Sequence, residues 1–243
     1  VNLTYSLQDI NITAPSTGTS EVSTDTTTSM YDYYYMSMYG WGSYFMSSIS
    51  PSLYRSTIDS PLTPSSGTMY LIQLKYAPSF LGGDIHLIKP TFEFTHYQPI
   101  VQGSQSLGFH IEYSYAKPLK NSTVPFWERF YLGGERNIRG YEIYTIGPRD
   151  SSGTNVGGMK SFVMNFEYIL HIGGRESPLY LIAFHDRGNA YDQNGKVSWN
   201  DMYTSTGLEA RIFVPALRVP FRLIFSYNNR RIYTTDSNFA FRF

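Results

Sequence analysis

Few of the ionisable side chains in this 243-residue sequence are placed for catalysis. His86, His96, His110, His171 and His185 stand singly, and there is no HExxH pair, G-x-S-x-G elbow, P-loop or G-x-G-x-x-G. A Ser-His-Asp site assembled across strands leaves no local signature, and His185 beside Asp186 is its best candidate. Adjacent strand residues point to opposite faces, however, so these two do not readily pair. The five histidines therefore read as lumen or interface residues, and the expectation is a non-enzyme with no metal and no cofactor. Absence of cysteine excludes thiol catalysis, disulfides and Cys-based zinc sites. The most distinctive cation is Arg139, which follows Gly133-Gly134 and directly precedes Gly140-Tyr141. Glycines permit positive φ and close backbone approach, and a five-donor guanidinium withdrawn from water must find carboxylates. Glu167 and Asp186, on the strands that follow, are the candidates; the alternative is a solvated loop arginine.

The elements that would position these groups are read from a period of two. Leu107, Phe109, Ile111, Tyr113 and Tyr115 alternate with Gly108, His110, Glu112 and Ser114, which puts the apolar set on one face of a strand. The pattern recurs over 162–172, with Asn165, Glu167 and His171 on the polar face, and again over 208–214, 221–227 and 239–243. Weaker versions cover 2–10, 43–53, 69–77 and 86–98, and with 179–191 the expectation is ten strands. Short connections (102–105, 173–176, 215–220) and long ones (13–40, 118–159) join them as in outer-membrane barrels. One strand resists assignment. Tyr180, Ile182 and Phe184 share the side of Asp186, Leu181 and Ala183 take the other, and so both faces are apolar.

Composition agrees with a strand-built membrane protein. Nineteen basic residues balance nineteen acidic ones, which removes the cationic excess a nucleic-acid binder needs. Only 16% of residues are charged, against 22 Tyr and 16 Phe. Mean hydropathy is nevertheless −0.27, and no apolar run approaches the ~18–20 residues of a spanning helix. A transmembrane antiparallel up-and-down β-barrel reconciles these facts, because its lipid and lumen faces average out. The alternative, a soluble sandwich or jelly roll, would carry more Lys and Glu on its polar face. Tyr70, Tyr76, Tyr97, Tyr113, Tyr115, Tyr191 and Tyr227 are expected in interfacial girdles. Glu93, Glu112 and Glu209 are expected to pair in the lumen with Arg211 and Arg222. The sequons at Asn2, Asn11 and Asn121 are a by-product of Ser/Thr richness, and the aromatic stretch 31–44 reads as a girdle with an ordered loop, with an exposed aggregation-prone segment as the alternative.

The long connection carries Phe126-Trp127-Glu128-Arg129-Phe130-Tyr131-Leu132-Gly133-Gly134, then Asn137-Ile138-Arg139-Gly140-Tyr141, then Ile146-Gly147-Pro148. This series resembles the sixth extracellular loop of the BamA-type outer-membrane assembly proteins, which folds back into the barrel lumen. Further matches follow in the family's order. Residues 58–67 resemble its periplasmic turn, and Phe80-Leu81-Gly82-Gly83-Asp84 a following extracellular loop. Phe184-His185-Asp186-Arg187-Gly188-Asn189 is similar to its aromatic-x-Asp-x-Gly strand, and 238–243 to its aromatic-ended last strand.

The resemblance implies that Gly133, Gly134, Ile138, Arg139, Gly140 and Tyr141 form a lumen loop motif, with Arg139 bridging Glu167 and Asp186. It implies a barrel of about sixteen strands preceded by periplasmic repeat domains. Residues 1–243 would then be its C-terminal portion, without the first strands and repeats; a reduced relative with a smaller closed barrel is the other possibility. The implied activity is folding and insertion of outer-membrane barrels through a lateral seam that includes Phe239, Phe241 and Phe243. The implied partners are the bacterial outer-membrane bilayer, unfolded barrel substrates and accessory assembly lipoproteins. A glycine common in that last strand is replaced by Ala240 and Asn238. The competing functions are a two-partner-secretion exporter, which shares the loop motif, a porin-like channel, and an outer-membrane phospholipase.

Overall fold

The computed structural model describes residues 1–12, 42–61, 63–120, 122–173, 178–214 and 219–243. The 13–40 connection, the sequon at Asn121, the core of the 173–176 and 215–220 turns and most of the 31–44 stretch lie outside the described residues. Ten long or mid-length strands follow the expected order: β1 Asn2–Ile12, β2 Gly42–Ser56, β3 Gly67–Ala77, β4 Leu87–Val101, β5 Gln105–Tyr115, β7 Lys160–His171, β8 Leu179–Tyr191, β9 Tyr203–Val214, β10 Val219–Asn228 and β11 Phe239–Arg242. The two-residue β6, Lys117–Pro118, was not expected; it pairs with Leu87 and Ile88 at the start of β4. All the strands join one antiparallel sheet in which sequence neighbours are spatial neighbours, apart from β6.

Alternation sets the two faces. On β7, Ser161, Val163 and Asn165 are buried while Phe166 and Tyr168 are exposed. On β9 and β10, Glu209, Ile224 and Ser226 are buried while Leu208, Ile212, Phe221 and Phe225 are exposed. The outward face is thus a continuous apolar surface suited to lipid, and the inward face is mixed and polar. From β3 to β10 the sheet spans six strand spacings, about 29 Å along the sheet, and the 116–159 connection touches both Lys75 on β3 and Asn228 on β10. A barrel wall wrapped around an internal loop satisfies both contacts.

Tyr97 departs from the girdle expectation. It turns into the lumen and packs with Ile169, Tyr180, Ile182 and Phe184. A Cβ on Gly108 would come within 2.8 Å of its ring, so the missing side chain of the neighbouring strand is what admits it. The short connection between β2 and β3 is held by Asp59, whose carboxylate accepts from the N–H groups of Ser60, Ser65 and Ser66 and from the Ser65 hydroxyl. Burial alone would raise this carboxyl, but the Ser65 hydroxyl and the three N–H groups outweigh it and hold it well below the usual carboxylate range.

Candidate functional site

The site is the 116–159 connection and the strand wall that holds it. Its stem starts from the 3-10 turn Phe126–Glu128 and runs inward as isolated bridges, Phe130 with Gly158 and Leu132 with Ile146. Gly133, Gly134 and Gly140 have φ of 103°, 98° and 84°, the left-handed side that L-residues avoid. A Cβ at Gly133 would lie 2.2 Å from the Glu142 carbonyl, and one at Gly140 would lie 2.0 Å from Ser226 Oγ. The hairpin tip therefore closes on itself and against β10 only with glycine there. Asn137 fixes the turn, its Oδ1 accepting from Gly133 N at 2.8 Å and Ile138 N at 2.9 Å.

Three residues of the motif make the tip a plug. Ile138 is fully buried with Leu132, Tyr141, Ile146, Val163 and Ala190. Tyr141 donates its hydroxyl to the Arg230 carbonyl at 2.9 Å and meets the Tyr203 ring edge-on at 5.5 Å. Asn228 Nδ2 donates to the Gly140 carbonyl at 3.1 Å.

Arg139 lies between them, 3% exposed. Its Nε and Nη2 donate to Asp186 Oδ2 and Oδ1 at 2.7 and 2.6 Å, and its backbone N–H adds a third bond to Asp186 at 3.0 Å. Nη1 donates to Glu167 Oε1 at 2.7 Å and to Glu209 Oε2 at 3.1 Å. The guanidinium stacks 3.9 Å over the Phe184 ring, which accounts for an aromatic residue on the lumen side of β8. Glu209, fully buried, also accepts from Arg211 and Arg222. Three guanidiniums and three carboxylates thus neutralise one another, as a buried charge network requires. Burial alone would loosen the proton on Arg139; the bonds to Asp186, with the fields of Glu167 and Glu209, outweigh it and hold it charged.

Sequence reasoning placed Glu209 with Arg211 and Arg222 but did not join it to Arg139; the link is across strands and has no local spacing. It also gave no role to Asn165, whose Nδ2 donates to Asp186 and to the Asn137 carbonyl, or to Glu128. Glu128 is buried at the loop stem and paired with Lys75 and with Lys89, the latter at 3.1 Å. Lys75 and Lys89 face each other in the β3–β4 register. The loop is therefore fastened at two places: its stem to β3 and β4, its tip to β7, β8, β9 and β10. A third contact is peripheral: Glu142 reaches Arg242 of β11 at 3.4 Å. His185 does not join Asp186; it points to the outward face, where Nδ1 lies 2.7 Å from Thr206 Oγ1. Glu93 and Glu112 are cross-strand neighbours on the lumen wall, with His110 Nδ1 3.9 Å from Glu93. Phe239, Phe241 and Phe243 are exposed on the outward face, the Phe241 ring tilted against Phe225 at 4.7 Å and Phe239 meeting the Tyr227 ring edge-on at 5.2 Å.

Comparison with known proteins points to one superfamily. Outer membrane protein assembly factor BamA of Nitratidesulfovibrio vulgaris is 35% identical over 161 residues, covering 65% of this chain and 20% of the relative. BamA of Neisseria meningitidis is 27% identical over 180 residues, covering 71% of this chain and 20% of the relative. The human sorting and assembly machinery component 50 homolog is 30% identical over 118 residues, covering 46% of this chain and 23% of the relative. The chain thus spans about a fifth of the length of the curated relatives it matches. Among solved structures, BamA from Haemophilus ducreyi lacking POTRA domains 1–3 superposes with a TM-score of 0.68 at 16% identity, over 84% of this chain and 42% of that one. That likeness shows the barrel fold. The Omp85 superfamily domain matches residues 1–243, so the chain belongs to the Omp85 superfamily, as a BamA-type integral β-barrel of the bacterial outer membrane.

Proposed function

We propose that this chain is the C-terminal part of the barrel of an outer-membrane protein assembly factor, which folds and inserts other β-barrels through a lateral seam. The observation that carries this reading is the lumen loop fixed to the strand wall of an Omp85 barrel. Arg139 ties that loop to β7, β8 and β9. In lipid, an unpaired strand edge costs several kcal/mol per orphaned polar group. An incoming strand that lacks partners gains them by adding to such an edge. Templating of this kind needs no chemical step, so no catalytic residue, metal or cofactor is assigned. The exposed Phe239, Phe241 and Phe243 would meet the lipid-facing side chains of the incoming strand. The partners in this reading are the bilayer, unfolded barrel substrates and accessory lipoproteins, and nucleic acid is not one.

Because the chain contains no cysteine, a single cysteine introduced within 237–243 reports without background. Paired with a cysteine in the terminal strand of a stalled barrel substrate, it is expected to form a disulfide in the working complex. If an active complex yields no cross-link anywhere along 237–243, the seam reading is wrong.

A further inference from the structure

The outward rim on the long-connection side carries cations that the lumen network does not use. Lys160 is the first residue of β7 and pairs in register with Tyr191, the last of β8. Arg187 lies four residues before Tyr191, about 13 Å down the strand. Both alternate with lumen residues, Ser161 and Asp186 respectively, and so emerge on the lipid side. Both nonetheless reach back to the 192–202 connection. Lys160 Nζ donates to the Gly195 carbonyl at 3.0 Å, and Arg187 Nη2 donates to the Trp199 carbonyl at 2.5 Å. Arg187 also stacks 4.7 Å over the Trp199 ring. Arg230, on the neighbouring rim, donates to the Asn200 and Asp201 carbonyls. Long cationic side chains that snorkel from a lipid face gather their charge at the headgroup level.

Carbonyl oxygens satisfy donors but do not neutralise charge. Among the described residues no carboxylate lies within ion-pair distance of Lys160, Arg187 or Arg230. Arg187 Nε, moreover, is buried with no hydrogen-bond partner. Trp199 is 54% exposed beside them and meets the ring of Phe162 at 6.0 Å, a pairing of interfacial aromatic and cation that suits a headgroup boundary. We propose that Lys160, Arg187 and Arg230, with Trp199, form a docking site for the net-anionic, phosphate-bearing headgroup of an outer-leaflet lipid. Arg187, with Nη2 held by the Trp199 carbonyl and Nε buried, offers the phosphate its delocalised charge through the remaining Nη1, Lys160 supplies a point charge, and Trp199 packs on the upper acyl chain. Lys160 and Arg187 take no part in the seam or the loop anchor, whereas Arg230 also receives the Tyr141 hydroxyl of the loop tip on its carbonyl.

The test is native mass spectrometry of the intact protein, released from detergent after addition of a bisphosphorylated lipid A-type glycolipid or of phosphatidylcholine. One molecule of the anionic glycolipid is expected to be retained, with little retention of zwitterionic phosphatidylcholine. The Lys160→Gln/Arg187→Gln variant is expected to lose about tenfold in retention, and Lys160→Arg is expected to keep it. Equal retention by wild type and variant, or of both lipids, overturns the proposal. Displacement of the glycolipid by equimolar inorganic phosphate would make this a free-anion site and overturn the lipid assignment. Should the double variant fail to fold, quenching in the wild type settles the matter. Brominated phosphatidylglycerol is expected to quench the Trp199-dependent emission, defined by difference from Trp199→Phe, more than brominated phosphatidylcholine; equal quenching counts against the site.

Discussion

Arg139 is held by more bonds than any other side chain of the loop, and the energetic consequence is asymmetric. Asp186 and Glu209 are both 0% exposed, so removing the guanidinium leaves buried carboxylates short of a counter-charge. Breaking a buried pair from one side costs about 3–5 kcal/mol. Arg139→Ala is therefore expected to lower the thermal midpoint of the heat-modifiable barrel sharply, and Arg139→Lys to recover only part of it. Lysine restores charge but not the two parallel bonds to Asp186. The carboxylates should rank in the same assay: Asp186→Asn, which disrupts three bonds from Arg139, ahead of Glu167→Gln, which disrupts one at a partly exposed position. An equal loss from both would mean that the cluster works as diffuse charge rather than as directed bonds. The sequence identified Arg139 and Glu167 through glycine spacing and alternation. It named Asp186 too, but alternation did not set its face, because Phe184 and Ile182 make both faces of β8 apolar; that ambiguity dissolves only once Phe184 is seen beneath the guanidinium.

At the scale of elements, the strands were legible because lipid on one side and a polar lumen on the other impose a period of two. The interior of the 116–159 connection was not legible, since its bridges, Leu132 with Ile146 and Phe130 with Gly158, join residues with no periodicity. Nor was its stem anchor, in which Glu128 meets two lysines that come together only through the β3–β4 register. Glu128→Gln is expected to free the stem while the tip stays docked, so that added protease cuts within 116–128 and leaves residues 137–141 intact. If cleavage spreads to the tip, the two anchors act as one cooperative unit. Stem and tip variants made together should add to within about 0.5 kcal/mol if the anchors are independent. The β2–β3 turn makes a separate prediction about pH. The folded Asp59 carboxyl is depressed, so its stabilisation is complete above the unfolded value near 4 and is lost as pH falls through the folded one. Wild type should exceed Asp59→Asn in thermal midpoint at neutral pH, with the gap narrowing below about pH 4. A gap that is constant with pH would assign the turn's order to its serines instead.

The whole molecule combines a curved wall with a loop that braces it from inside. The wall alone fits an open pore as well as an assembly platform, and because an exporter shares the loop motif, what separates them is whether the seated loop blocks the lumen. Its stem grips β3 and β4 and its tip grips β7 to β10, so it ties together strands six spacings apart. With the plug seated, Ile138 and Tyr141 are buried against the wall and Arg139 fills the space between strands. A transport barrel must conduct through its lumen, whereas a barrel that works at a lateral seam has no such need. The intact protein in a planar bilayer is therefore expected to show small, infrequent openings. Releasing both anchors, with Arg139→Ala and Glu128→Gln together, should raise conductance well above that of either single variant. Large steady conductance in the wild type, unaffected by the double variant, would favour the exporter or porin reading and would mean that the loop lies against one wall of a wider pore. The same recording tests the brace: if the stem carries load, Glu128→Gln alone should lengthen openings without enlarging them, because the tip still blocks the path while the wall around it relaxes.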